Sequence, residues 1–272
     1  MRFLKFLLII SLGFSVNAQA VDKFIIPRLK DVIKPMGEGT NPALNPDRIQ
    51  VTVWNMFKGD KDNFVRDFNT VTKNSDILML QETFLDDKMK GLFKNHTGFE
   101  YITATSFIFE NKNVETGLAT ASHTRSTAQA FLRSQDREPV VKTPKIVLMA
   151  TYPIQGKYVE LLTVNIHAVN FVTTAAFKRQ LFSTIPRVKS HIGPVIFAGD
   201  FNTWSDERLE LLDQYIKELG LKEVPWTPDT RMRTFKRPLD HILYRGLNLV
   251  ESRVWGELDG SDHKALEAVF TY

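Results

Sequence analysis

The sequence contains no cysteine. Disulfides are excluded, and so is lipid anchoring through a thiol, so stability must come from a packed core. There is no internal repeat, and 272 residues suit one large α/β domain or two small ones. The apolar stretch at 6–16 is too short for a bilayer, which needs about 20 residues. A strong charge of one sign is also missing: 35 basic residues face 31 acidic ones, a net charge of +4.

Phenylalanine, by contrast, is abundant, with 20 copies mostly in apolar runs, the pattern of a Phe-rich core. Arg2 and Lys5 precede the apolar stretch, and Ala18-Gln19-Ala20 closes it. A charged start, a short apolar middle and a small-residue end predict a secretory signal peptide over 1–20. Its removal would leave 33 basic and 31 acidic residues, a net charge of +2. The high isoelectric point therefore says little about a polyanionic partner, and local clusters must carry that argument. The expected protein is exported, periplasmic or secreted, monomeric, and without a stable membrane anchor after cleavage.

Prolines and glycines without periodicity predict an irregular lead-in over 21–47. From Arg48 the pattern becomes regular. Strands are predicted at 49–56, 77–80, 100–105, 145–152, 159–166, 195–198, 240–244 and 266–272. Helices are predicted near 61–74, 173–188 and 205–219. The last is the best specified: Ser205 caps it, Asp206 and Glu207 suit its positive end, and Gly220 ends it. Strands with interspersed helices, lacking a strict βαβ rhythm, favour a mixed two-sheet α/β sandwich over a doubly wound parallel sheet.

The predicted strands share one peculiarity: apolar segments that end in polar or acidic residues. They are VTVWN at Asn55, ILMLQE at Glu82, LLTVNIH at His167, VIFAGDFN at Asp200 and Asn202, PLDHIL with Asp240, and SDH with Asp262 and His263. A buried unpaired carboxylate is costly. Several gathered at one sheet end share that cost by binding a divalent cation, and hard oxygen ligands suit Mg²⁺, Mn²⁺ or Ca²⁺. In GDFN the acid and amide stand two apart and leave the strand on one face.

This ordered set resembles the endonuclease/exonuclease/phosphatase superfamily of DNase I-like enzymes over residues 48–272. TVNIHAVNF, GPVIFAGDFNTW and RPLDHILYRGLN are similar to its bacterial YafD-like branch. The resemblance implies a four-layered α/β sandwich, two mixed β-sheets packed face to face between helices. It also implies roles. Glu82, Asn55 and Asp262 would hold the cation. His263, oriented by Asp240, would be the general base. Asp200 would orient the water or be the base itself. Asn202 and His167 would stabilise phosphoryl oxygens, with His167 also placed to assist the leaving group.

Other features bear on the substrate. Arg231, Arg233, Lys236 and Arg237 fall within seven residues just before Asp240, and are expected to touch phosphates. The segment 116–145, also basic, resembles the superfamily stretch that crosses from one sheet towards the cleft. Trp54 and Trp204 are expected to pack beside the motif loops, and His96 to lie at the surface. A nuclease acting on DNA or RNA is the leading reading. A phospholipid phosphodiesterase or phosphoinositide phosphatase is the alternative. RPLDHIL lacks the motif of the inositol phosphatases, and the 21 residues between Asp240 and Asp262 leave little room for a membrane-inserting hairpin. A silent binding module is the third; it is disfavoured because every expected ligand position is filled.

Overall fold

A computed structural model describes residues 23–139 and 141–272; the expected signal peptide lies outside the described residues. The chain lays down one sheet, crosses to a second, and returns to the first. It begins with β1 (Phe24–Ile25), β2 (Ile33–Met36), β3 (Ile49–Asn55), β4 (Ile77–Phe84), β5 (Glu100–Phe109) and β6 (Val114–Ser122). The second sheet takes β7 (Ala128–Arg137), β8 (Pro144–Pro153), β9 (Glu160–His167), β10 (Val195–Asp200) and β11 (Lys222–Glu223). A small hairpin of β12 (Arg233–Thr234) and β13 (Arg237–Pro238) precedes β14 (Asp240–Arg245), the last strand of that sheet. β15 (Asn248–Val254) and β16 (Leu266–Thr271) complete the first.

Helices α1 (Phe64–Thr72) and α2 (Asp87–Asn95) flank the first sheet; α3 (Thr174–Phe182), α4 (Ile185–Ser190) and α5 (Asp206–Leu219) flank the second. The sheets face each other. Val51, Val53 and Met79 of one interlock with Ile196, Ala198 and Ile242 of the other. Trp54, Leu78 and Leu80 point the opposite way, against Phe64, Phe68 and Met89 of α1 and α2. Alternate residues of each central strand thus bury in two different cores, which is why β3 is buried along its whole length. Four layers result, as the resemblance implied. Among the described residues no helix is long and apolar enough to cross a membrane.

A polar link joins the sheets inside this core. Gln81 Nε2 donates to Asn165 Oδ1 at 2.7 Å, and Asn165 Nδ2 donates to the carbonyl of Ala119 at 3.0 Å. One bond joins the two amides, and Gln81 Oε1 is left buried with no hydrogen-bond partner among the described residues.

Two expectations change and two hold. The lead-in is not wholly irregular: β1 and β2 pair with β5 at the sheet edge, where a proline such as Pro35 is tolerated. The helix over 173–188 is two helices, broken where Ser183 and Thr184 hydroxyls bond back to carbonyls and Pro186 sits in the first turn of the second. The basic stretch at 116–145 holds β6 in one sheet and β7 in the other, making the crossing that was expected. The helix capped by Ser205 ends as predicted, with Gly220 at φ 61°.

Candidate active site

Parallel pairing fixes where the strand-end residues meet. β3 pairs parallel with β4, and β9 with β10, so the carboxyl ends of each pair share an edge. Asp200 stands opposite His167 on one side and Asp240, the first residue of β14, on the other. Gly199 permits this closeness. Its φ is 141°, and a Cβ there would lie 2.0 Å from the carbonyl oxygen of Ile166.

Glu82 reaches the cleft by a different device. The β4–β6 register shifts between Gln81 and Thr83, and Glu82 has φ 53°. The bulge turns its carboxylate out of the alternation that buries Gln81. The 260–263 loop is tied down around β3. Ser261 Oγ donates to the Asn55 carbonyl at 2.7 Å, Trp54 Nε1 donates to the His263 carbonyl at 3.1 Å, and Gly260 N donates to Asp67 at 2.8 Å.

Glu82, His167, Asp200, Asn202, Asp262 and His263 then line one cleft of about 510 Å³. Asn55 sits behind it, its Nδ2 donating to Asp200 Oδ2 at 3.1 Å and approaching Glu82 Oε1 at 3.4 Å. His263 Nδ1 meets Asp240 Oδ2 at 2.7 Å, and its Nε2 lies 3.9 Å from Asp200 Oδ2. His167 Nε2 lies 3.6 Å from the same Asp200 oxygen and 4.0 Å from Glu82 Oε1. Asn202 spends one amide hydrogen on the Ala168 carbonyl at 3.0 Å, and its backbone N–H goes to Asp200 Oδ1 at 2.9 Å.

The electrostatics follow from burial against charge. Burial disfavours a charged His263 ring, but the carboxylate and hydrogen bond of Asp240, with Asp200 and Asp262 nearby, win and push it up to about 10. Burial, reinforced by the charge of Asp240, pushes the Asp200 carboxyl up to about 7. Burial, then Lys145, His263 and Lys58, hold His167 well below the ordinary histidine value, so it stays neutral.

The donor set suits a hard cation. Among the described residues, Glu82 has only Asn55, Lys58 Nζ at 3.7 Å and His167 within reach, all long contacts, and Asp262 has only Ser261 Oγ at 3.3 Å. These oxygens face the cleft without a close partner, and all are hard ligands. Asp200, Asp240 and His263 also cluster within 4.8 Å. In that trio the His263–Asp240 hydrogen bond already engages one Asp240 oxygen and His263 Nδ1.

The basic run departs from expectation, and none of its four cations lines the cleft. Arg231 is turned inward, its side chain 8% exposed, bonded to Glu223 at 3.0 Å, Asp229 at 2.9 Å and the Asp240 carbonyl at 3.0 Å. It supports Asp240 from behind, so its assignment to substrate is corrected. Arg233 pairs with Asp229 and Arg237 with Asp206, which competes with phosphate contact. Lys236, at the hairpin tip, forms no ion pair among the described residues.

Several working residues carried no signal in the sequence. Lys58 lines the cleft from a segment without a motif, and Lys145 and Glu138 line it from the 116–145 stretch, where no single residue was marked. Arg208, fully buried in α5, donates to the carbonyls of Val169, Asn202 and Val172, tying together the loops that follow β9 and β10. Trp204 packs as expected, its Nε1 donating to Asn170 at 2.9 Å.

Comparison with known proteins agrees with this geometry. The model of the endonuclease/exonuclease/phosphatase family matches residues 52–263. A "UPF0294 protein" of Erwinia tasmaniensis is 33% identical over 231 residues, covering 84% of this chain and 83% of its own. A mannosyl-6-phosphatase of Bacteroides thetaiotaomicron superposes with a TM-score of 0.62 at 15% identity, covering 82% of this chain and all of its own. The TDP2 of D. rerio, complexed with a single-strand DNA product, gives 0.60 at 15% identity, covering 83% of this chain and 99% of its own. The family match spans the acidic, amide and imidazole residues that line the cleft, from Glu82 to His263; the chain therefore belongs to the endonuclease/exonuclease/phosphatase family, whose members are generally divalent-metal-dependent hydrolases of phosphoesters.

Proposed function

We propose that this chain is a divalent-metal-dependent phosphodiesterase acting on nucleic acid, and that it works after export as a monomer in the periplasm or outside the cell. The observation that carries the hydrolytic reading is the buried His263, with Nδ1 on Asp240 and Nε2 turned to Asp200, in one cleft with Glu82 and Asp262. Glu82 and Asp262, with the Asn55 carbonyl, would hold Mg²⁺, Mn²⁺ or Ca²⁺; when bound, the cation supplies charge that offsets the phosphoryl oxygens and the leaving oxygen.

The chain's own groups do the rest. Water attacks phosphorus, and its proton passes to Asp200, whose Oδ2 lies 3.9 Å from Nε2 of the His263 ring. The P–O bond to the leaving group breaks, and that oxygen takes up a proton from solvent while Asp200 returns the water's proton to solvent. Neutral His167 and the second amide hydrogen of Asn202 face the phosphoryl oxygens as donors. The TDP2 complex supports nucleic acid as the substrate, and export supports a scavenging role. A phospholipid headgroup is the second reading, favoured by phenylalanines at one end of the cleft.

Purified protein with Mg²⁺ or Mn²⁺ would be assayed on plasmid DNA, RNA, sphingomyelin and phosphoinositide vesicles. Cleavage of DNA or RNA is expected, with a loss of several orders of magnitude in the Asp200→Ala, His263→Ala double variant. Cleavage of lipid alone would sink the nucleic-acid reading. Full activity in the double variant would sink the site assignment.

A further inference from the structure

Four phenylalanines share the cleft with the acidic cluster. Phe24, Phe107 and Phe109 come from β1 and β5 of the first sheet, and Phe171 from the loop after β9 of the second. The first three hold one another edge to face, with centroids 5.1, 5.2 and 5.4 Å apart. This is a fixed shelf, not a set of loose rings. The shelf is also aimed. The β5–β6 register shifts between Thr105 and Phe107, and the β4–β6 register shifts at Glu82. Both bulges flank the same residue, Gly117, which pairs with Thr83 on one side and Thr105 on the other. A Cβ on Gly117 would lie 2.0 Å from the Ala104 carbonyl. One glycine therefore lets two strands pinch, and the two bulges direct a carboxylate and an aromatic ring into one cleft.

Phe171 faces this cleft from the other sheet and is 73% exposed. Its φ is 52°, a conformation that costs about 1–2 kcal/mol for an ordinary residue. The turn is secured nonetheless: Asn170 Oδ1 accepts from Phe171 N and from Trp204 Nε1, both at 2.9 Å, and Asn170 N donates to Glu138 at 3.0 Å. An exposed aromatic held in a strained, hydrogen-bonded turn at a cleft points to a ligand.

Cations edge the same space. Lys58 and Lys145 line it, and Lys112 Nζ sits 5.8 Å from the Phe109 ring and 5.7 Å from that of Phe84. A nucleotide offers an aromatic face beside an anion, which matches this arrangement; an acyl chain offers neither. Bases inside a duplex are stacked on their neighbours, so a walled recess of this kind is open only to an unpaired or extruded base.

We infer that Phe171 and the Phe24–Phe107–Phe109 shelf form a stacking subsite for an unpaired nucleobase next to the scissile phosphate. The inference rests on the nucleic-acid reading and makes it specific: single-stranded or locally opened nucleic acid is the substrate.

The test measures binding and cleavage separately, using the Mg²⁺-loaded chain. Binding is followed by fluorescence anisotropy, before cleavage proceeds, for a labelled single-stranded DNA octamer and an octamer of abasic tetrahydrofuran phosphates. The wild type should bind the base-bearing octamer tighter by on the order of tenfold. Phe171→Ala and Phe171→Leu should each remove most of that preference, leaving abasic binding and the melting temperature unchanged. An undiminished preference in both variants overturns the inference. So does a preference kept by Phe171→Leu, which marks apolar contact without stacking. Cleavage reports on the broader reading. A wild type that hydrolyses phospholipid vesicles and neither octamer overturns the nucleic-acid assignment, whereas equal hydrolysis of both octamers overturns the stacking subsite alone.

Discussion

Asp240 holds His263 with one oxygen, and its other oxygen, Oδ1, is buried with no hydrogen-bond partner among the described residues. Its charge is what keeps the His263 ring protonated against burial. Asp240→Asn keeps the shape and removes the charge. It should lower kcat by about 10²–10⁴ and leave the melting temperature almost unchanged, as steady-state hydrolysis and circular dichroism would show. A residue far from the site governs a different pH response. His96, expected at the surface, is half-buried, stacked on Phe99 at 4.0 Å and bonded to Tyr101 Oη at 2.6 Å. Burial, with the neighbouring His123, lowers it to about 4 from 6.5. A histidine depressed by folding stays neutral while the unfolded chain takes a proton. Its contribution is therefore complete above about 6.5 and lost as the pH falls towards about 4. Urea denaturation across this window should show stability falling with pH, and the fall should be shallower in His96→Gln.

At the scale of elements, the segment between α5 and β14 is where a charge pattern misled. Four cations near an acidic motif read as a phosphate contact. In the fold, Arg231 is enclosed by Glu223, Asp229 and the Asp240 carbonyl, while His241, beside it, bonds to Glu223 at 2.7 Å and Thr203 at 2.8 Å. This network braces both the start of β14 and the turn after β10. Arg231→Ala strands two carboxylates and should cost about 3 kcal/mol of stability, measured by denaturant midpoint. Activity should fall with it. The salt dependence of nucleic-acid binding should stay as in the wild type, because an arginine that touches no phosphate releases no counterion; a change in slope of about 1 would restore the substrate role.

For the whole molecule, the central consequence is that folding concentrates negative charge. Glu82 arrives from the first sheet, Asp200 from the second and Asp262 from the loop before β16, and the sandwich buries the walls around them. Cation binding should therefore stabilise the native state by mass action, by about 2.7 kcal/mol at a hundredfold excess over Kd. A melt followed with increasing Mg²⁺ should rise by several degrees, and Glu82→Gln should abolish the rise. Chelation should remove both this shift and activity. A melting curve indifferent to every divalent ion would argue against the assigned ligands.

The sequence by itself determined the strands that end in chemistry. Apolar alternation running into a polar residue is a local signal, weak by itself at Asn55, Glu82, His167, Asp200, Asp240 and His263 and specific only in their order, whereas the caps of α5 were legible by themselves. The layered fold was legible through their order. Only the tertiary structure decided what depends on approach between distant segments. The bulges beside Gly117, the inward turn of Arg231, the clamp of Arg208 on three carbonyls and the Phe171 wall leave no local pattern. Side-chain direction at a bulge, and the partner of a charge, are set by what the rest of the chain packs against them.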